Sequence, residues 1–385
     1  MHANEPNLTE ANSSLSSRQA AIPEDILVSE VLARLPVRSL LRFRSVCRSW
    51  RAAIDGDPRL VPRHLELSRG RAQASVLDVP CEPRLEDHWG EARSKEMEFR
   101  RIRHGAAVDA ELMLAAASPA NRSTAVIDPV HCDGMVLVPI ASGELFVCNP
   151  ATRELVALPP GSPSVMRGAV AFGFDPSSNT YKAARIFYRG VELVEADDDE
   201  GGEGVEEYDV GHEVLTLGAA SSWEPTDDPP YYVAPIRPIC TRGRPAADGA
   251  AASAEGLGLI GDRDTLTELG GRLCCAHART ATGVDIWLAD DDGPRLEWSM
   301  AHRIELLRPV AHSVLPLAAD GDELLLSVDR RVLYKYRAGS KAVEEVLDMQ
   351  RVPDLYGGRP PLPLRLVHHA VPYVESLVSI TRRNY

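Results

Sequence analysis

The chain has 385 residues, 44% of them hydrophobic, with a formal net charge of −14, so it is long and apolar enough for one large or two ordinary domains with proper cores. That charge argues against general affinity for nucleic acid or anionic membranes, because counterion release needs a basic surface. No run approaches the eighteen or so uninterrupted apolar residues of a membrane helix, and the opening "MHANEPNLTEANSSLSSRQA" has neither the basic start nor the apolar stretch of a secretory signal.

Residues 1–20 read as a disordered tail, and the first ordered unit is helical, over 21–66. In "IPEDILVSEVLARLP", Pro23 suits a first helical position and Glu24 and Asp25 lie at the positive end of the helix dipole. Ile26, Leu27, Val31, Leu32 and Leu35 then recur at helical spacing until Pro36 ends the run. Ser39 is placed to cap a second helix, "LLRFRSVCRSWRAAI", residues 40–54. At 100° per residue Leu40, Phe43, Val46, Cys47, Trp50, Ala53 and Ile54 share an arc of about 140°, an ordinary buried stripe. Six arginines (34, 38, 42, 44, 48, 51) and no acid occur between Val31 and Ile54, so this segment carries +6 and the remainder −20. Such asymmetry calls for an acidic partner. "DGDPRLVPRHL" closes the unit with turn residues and a third short helix. Three short helices cannot bury all these large side chains among themselves, which leaves apolar surface for a partner.

Residues 67–105 are charged and weakly periodic, and read as a connector with some helix. From 106 to 385 the chain turns to short β-type runs separated by Gly, Pro, Asn and Asp: "GMVLVPI", "GELFVCN", "RELVAL", "VAFGFD", "YKAARIFY", "HEVLTL", "GRLCCAHA", "VDIWLA", "DELLLSV", "RVLYKY" and "ESLVSI". Acidic or small-residue stretches near 195–207 and 240–256 read as exposed loops. A Gly-led strand pair recurs at roughly fifty residues, near the length of a four-stranded propeller blade, so about 280 residues make roughly six blades. The fold class is thus α+β multidomain, a small three-helix unit followed by an all-β domain, a β-propeller of about six blades or alternatively a β-sandwich.

Enzyme machinery is scarce. There is no phosphate loop, no G-x-S-x-G elbow, no H-E-x-x-H and no dinucleotide fingerprint. His131 beside Cys132 lacks partners at ligand spacing, and His368 and His369 read as strand neighbours on opposite faces. "ADDDE" at 196–200 and "ADDDG" at 289–293 lack the alternating ligands of a calcium loop. Seven cysteines (47, 81, 132, 148, 240, 274, 275) with no C-x-x-C pair fit a reduced compartment rather than a disulfide scaffold. No catalytic residue, metal or cofactor is assigned. Two other readings stay open: a nucleic-acid-binding regulator using the arginine-rich helix, and a propeller enzyme in which His131, His368 and His369 meet in a central pocket.

Residues 22–61, "IPEDILVSEVLARLPVRSLLRFRSVCRSWRAAIDGDPRLV", resemble an F-box, with Ile22 in place of that family's opening Leu. The rest resembles the F-box-associated (kelch/propeller-like) domain of plant F-box proteins, carried by "HCDGMVLV", "VCNPATRELVALPP" and "FGFDPSSNTYKAARI", then "VDIWLADD", "EWSMAHRIEL" and "YVESLVSI". The family's Asn-Gly-x-Leu strand is not recognisable between 234 and 262. The resemblance implies a non-catalytic substrate receptor of an SCF-type cullin-RING ubiquitin ligase, cytoplasmic or nuclear. Its F-box would bind a Skp-family adaptor, and through it a cullin, while the β-domain recruits an unknown protein substrate, with no nucleic acid and no membrane. The residues expected to divide between the adaptor face and the internal core are Ile22, Pro23, Ile26, Leu27, Val31, Leu35, Pro36, Leu40, Leu41, Val46, Cys47 and Trp50. Arg42, Arg44 and Arg48 would steer toward an acidic adaptor.

Overall fold

The computed structural model describes residues 26–70, 75–81, 96–103, 109–117, 126–194, 205–218, 222–227, 264–290, 297–351 and 366–381. It begins with a π-helical turn, Leu27–Val31, and a 3-10 turn, Leu32–Arg34, which stop where Leu35 becomes extended before Pro36. Helix α1 is Val37–Phe43, α2 is Arg48–Gly56 and α3 is Leu60–Gly70. Leu27, Val28, Leu32, Leu40, Ala53, Ile54 and Leu60 form their common core.

The expected single helix over 40–54 is two helices. Val46 N–H bonds to the Phe43 carbonyl and the Ser45 hydroxyl to the Arg42 carbonyl, which tightens and ends α1. Cys47 is then fully extended (φ −156, ψ 170) ahead of α2. Pro36, not Ser39, stands at the N-cap of α1. The break rotates α2 away from the stripe drawn on a continuous wheel, so Val46 and Cys47 are exposed rather than buried.

All the strands lie in four-stranded antiparallel sheets. The first sheet contains β1 (Ser75–Cys81), β2 (Glu96–Arg103) and β3 (Asp109–Ala117). The second contains β4 (Val130–Cys132), β5 (Met135–Pro139), β6 (Leu145–Asn149) and β7 (Glu154–Ala157). The third contains β8 (Val170–Asp175), β9 (Thr180–Val194), β10 (Val205–Thr216) and β11 (Glu224–Thr226). The fourth is β12 (Thr265–Leu269), β13 (Arg272–Ala278), β14 (Gly283–Asp290) and β15 (Glu297–Glu305). The fifth is β16 (Val314–Asp320), β17 (Glu323–Val328), β18 (Val332–Arg337) and β19 (Ala342–Asp348). Strand β20 (Val367–Tyr373) returns to pair with β1, from Ser75 opposite Tyr373 to Cys81 opposite Val367.

These meanders are the blades of a β-propeller, and the pairing of β20 with β1 ties the end of the β-domain to its start, a closure that a two-sheet sandwich lacks. Two-residue connections such as Gly270–Gly271, both at positive φ, turn the strands tightly. Apolar seams join the first blade to the second (Leu77, Phe99, Val136, Phe146), the second to the third (Met135, Val147, Phe172, Ala183), the fourth to the fifth (Ile286, Leu326, Tyr334) and the fifth to the first (Leu325, Leu333, Ile102, Ala370).

Five blades among the described residues replace the expected count of about six. Dividing the β-region by an average repeat failed because the blades are unevenly spaced along the chain, with β11 ending at Thr226 and β12 beginning only at Thr265 while β15 ends at Glu305 and β16 begins at Val314. The segment 67–105 is also no plain connector, since it holds the end of α3 and strands β1 and β2. "ESLVSI" (375–380) makes no ladder and runs as an irregular strap after β20. Of the loop expected near 195–207, residues 205–207 belong to β10 and 195–204 lie outside the described residues, as do the 240–256 loop and the 1–20 tail.

Candidate functional site: an outward helical face and the helix–propeller junction

Ile22 and Pro23 lie outside the described residues. The other candidate docking residues separate into two groups. Leu27 and Leu40 are buried in the helical core, with Val31, Leu35 and Trp50 packed half-buried against it. Trp50 meets Phe43 edge-on, with centroids 5.2 Å apart. Ile26 and Val46 stay 45% and 60% exposed and do not enter the helical core. Pro36, Arg42, Cys47 and Arg48 are exposed as well, and Leu41 and Arg44 are half-buried. An isoleucine and a valine left in water on the helical unit are apolar surface that a partner can cover.

The six arginines are less free than the charge count implied. Arg34 pairs with Glu30, Arg38 with Glu111 of β3 at 3.4 Å, and Arg44 with Asp55 at 2.7 Å, while Arg51 donates to the Arg44 carbonyl at 3.0 Å. Arg42 and Arg48 remain without an ion pair among the described residues. Cys47 does not serve as a small apolar neighbour of Trp50. Its sulfur lies 3.1 Å from the Ser49 hydroxyl, and that contact, with the Trp50 backbone N–H, lowers the thiol pKa from its usual value. Cys81, Cys132, Cys148, Cys274 and Cys275 are buried as free thiols.

A second concentration of interactions lies where α3 meets the second and third blades. Leu65 enters the core that holds Met135, Phe172 and Tyr181, and Val61 packs against it. Arg69 reaches Asp133 at 2.5 Å, and the Tyr181 hydroxyl donates to the other Asp133 oxygen at 3.0 Å. Burial, then the Asp133 charge, raises the Tyr181 pKa well above the usual phenol value, so the hydroxyl remains a donor. Asp133 and Gly134 both have positive φ, and a β-carbon on Gly134 would collide with the Val374 carbonyl oxygen.

The strap passes over this turn and is clipped to β6 and β7. Asn149 donates to the carbonyls of Ser376 at 3.1 Å and Val378 at 2.7 Å, while its own oxygen accepts from Ala151 N–H at 3.0 Å. Glu154 accepts from the Ser379 hydroxyl at 2.9 Å, the Thr152 hydroxyl at 3.0 Å and Ile380 N–H at 3.4 Å. Asp133, Asn149, Glu154 and Tyr181 were not singled out by reasoning on individual residues. The signal that locates them is the pair of motifs "HCDGMVLV" and "VCNPATRELVALPP" and the Tyr of "FGFDPSSNTYKAARI". Between this junction, α2 and α3 lies an open cleft of about 1140 Å³.

The three histidines do not meet. His368 and His369 line a small cavity of about 60 Å³ with Asp128 and Arg330, and His131 is not among its lining residues. His368 pairs with buried Asp78 at 3.0 Å. His369 lies 3.4 Å from the Cys81 sulfur, and burial drives its pKa down to about 4 while raising that of the Cys81 thiol to about 12. His131 is likewise lowered by desolvation to about 4. Among the described residues no group of three or more His, Cys, Asp or Glu side chains is arranged to hold a metal ion, and no helix is long and apolar enough to cross a membrane.

Comparison with known proteins matches residues 21–61 to the F-box domain and residues 103–244 to the F-box associated beta propeller domain. Three F-box proteins of Arabidopsis thaliana are among the relatives. One is 27% identical over 195 residues, covering 47% of this chain and 44% of that protein. A second is 30% identical over 178 residues, covering 43% and 44%. A third is 25% identical over 346 residues, covering 82% and 88%. The matched region thus spans less than half of the first two relatives and most of the third.

Proposed function

We propose that this chain, an F-box protein whose second domain is an F-box-associated β-propeller, is the substrate-recognition subunit of an SCF-type cullin-RING ubiquitin ligase. The helical unit docks a Skp-family adaptor, and the propeller recruits the protein to be modified. The observation that carries this reading is that Ile26 and Val46 of the helical unit are exposed and take no part in its core. An interface core depleted of charge and completed by a partner has this composition. Arg42 and Arg48, exposed and close to Val46 in the chain, supply positive charge for an acidic adaptor, which affects encounter rate more than affinity.

In this role the chain performs no bond chemistry. It raises the effective concentration of a substrate lysine near the ubiquitin-charged conjugating enzyme. Such a function needs a firm link between docking face and propeller, and Leu65 buried in the blade core with Arg69 on Asp133 supports one. The test is co-purification of the full chain with a co-expressed Skp-family adaptor. Wild type should retain the adaptor, and Ile26→Asp with Val46→Asp should lose it while the thermal midpoint stays in place. An intact wild-type chain that retains no adaptor refutes the reading.

A further inference from the structure

We propose that the cleft between α2, α3 and the second and third blades is a peptide-recognition site for a segment bearing a lysine or arginine between apolar side chains. The proposal rests on the receptor reading and specifies where a substrate segment would sit. The charges around the cleft are closed on one another with one exception. Arg44 pairs with Asp55, Arg59 with Asp57 and Arg69 with Asp133. Glu154 lines the same cleft and has no cation among the described residues. Its three acceptor contacts come from two hydroxyls and one backbone N–H, all neutral, and a carboxylate offers about four lone-pair sites. A half-buried carboxylate with a spare acceptor site and no counter-ion selects a cationic partner and repels an anionic one.

The rest of the lining selects what flanks that cation. Leu41, Val61, Phe174 and Leu377 give apolar contact on both the helical and the blade side. The strap contributes Leu377, Val378, Ser379 and Thr381 to one wall, with Val378 and Ile380 also buried in the blade core. A volume of about 1140 Å³, above the ~300–1,000 Å³ of common small-molecule pockets, suits a peptide better than a compact metabolite.

The test uses the purified full chain and fluorescein-labelled octapeptide pools with one position fixed as Arg, Lys, Gln or Glu between fixed Leu or Phe residues, read by fluorescence anisotropy. Wild type should bind the Arg and Lys pools most tightly. Glu154→Gln keeps the shape, its carbonyl oxygen accepting from Thr152 and Ile380 while its amide donates to the Ser379 hydroxyl, and should lower the preference for Arg over Gln roughly tenfold. Pro176→Arg, at the exposed turn beside the cleft, places a cation at the mouth without touching the core and should weaken the basic pools by a similar factor. It decides the matter alone if Glu154→Gln fails to fold. No binding of any pool, equal binding of all four, or an Arg preference unchanged in these variants overturns the proposal. Adaptor co-purification from the same preparations separates the two readings, since it should persist in both variants whether or not the peptide preference is lost.

Discussion

The side-chain amide of Asn149 donates to the backbone carbonyl of Val378 at 2.7 Å, 229 residues further along the chain. The same amide holds the Ser376 carbonyl, and both contacts are buried. Asn149→Ala leaves two buried carbonyls without a donor and removes the acceptor that shapes the turn at Ala151. It should destabilise the chain by about 3 kcal/mol, measured as a lower urea midpoint, whereas a surface substitution such as Ser178→Ala should stay within ~0.5 kcal/mol.

The ion pair of Arg69 with Asp133 links the helical unit to the propeller and is more buried than that of Arg38 with Glu111, which also joins the two. Arg69→Met keeps the apolar stem and strands the nearly buried Asp133 carboxylate beside Tyr181. With allowance for the partly exposed arginine, the cost should be about 2 kcal/mol. Amide exchange should rise in α3 and in the 131–134 turn, with the fourth and fifth blades unchanged. Uniform acceleration across all blades would show that the pair is not a local link.

Core and face residues of the helical unit should behave oppositely. Leu40→Ala opens a cavity in a packed core and should cost about 3 kcal/mol, while Val46→Asp should leave stability within ~0.5 kcal/mol and abolish adaptor retention. Arg42→Ala with Arg48→Ala should slow association several-fold at low salt and converge on wild type at high salt, with dissociation little changed. These outcomes are read by binding kinetics at two ionic strengths.

Acid should destabilise the propeller. Burial lowers the pKa of His131 and His369 from about 6.5 to about 4, so between those values the unfolded chain binds protons that the folded chain refuses. Stability therefore falls as pH drops from ~6.5 toward ~4, and these two groups make no difference above that window. The contribution of His369 amounts to about 3 kcal/mol across the window. His369→Gln should flatten the pH dependence of the urea midpoint, and a slope equal to that of wild type would remove His369 as its source.

Residues 40–54 show how far local pattern reaches. Leu40, Phe43, Trp50, Ala53 and Ile54 do pack inward as their spacing requires, but Val46 and Cys47 do not, because the break after α1 depends on Ser45 and Val46 bonding back to the previous turn. The β-runs in "GMVLVPI", "GELFVCN" and "DELLLSV" are strands as read, since apolar content and flanking turns are local properties. The pairing of β1 with β20 was missed because it joins residues nearly 300 positions apart.

The sequence by itself determined the order of the two domains, the helical identity of the first, the strand-and-turn character of the second and the motifs at Asp133, Asn149 and Tyr181. The first three follow from short-range periodicity, turn chemistry and residue type, and the motifs from the resemblance to the F-box-associated domain. Only the tertiary structure decided that Ile26 and Val46 face outward, that Arg44 is neutralised by Asp55 while Arg42 is not, and that Asn149 clips the strap. The same holds for Glu154, which faces a cleft between helices and blades without a counter-ion. Exposure and charge pairing are set by what packs opposite a residue, and here those neighbours come from distant parts of the chain.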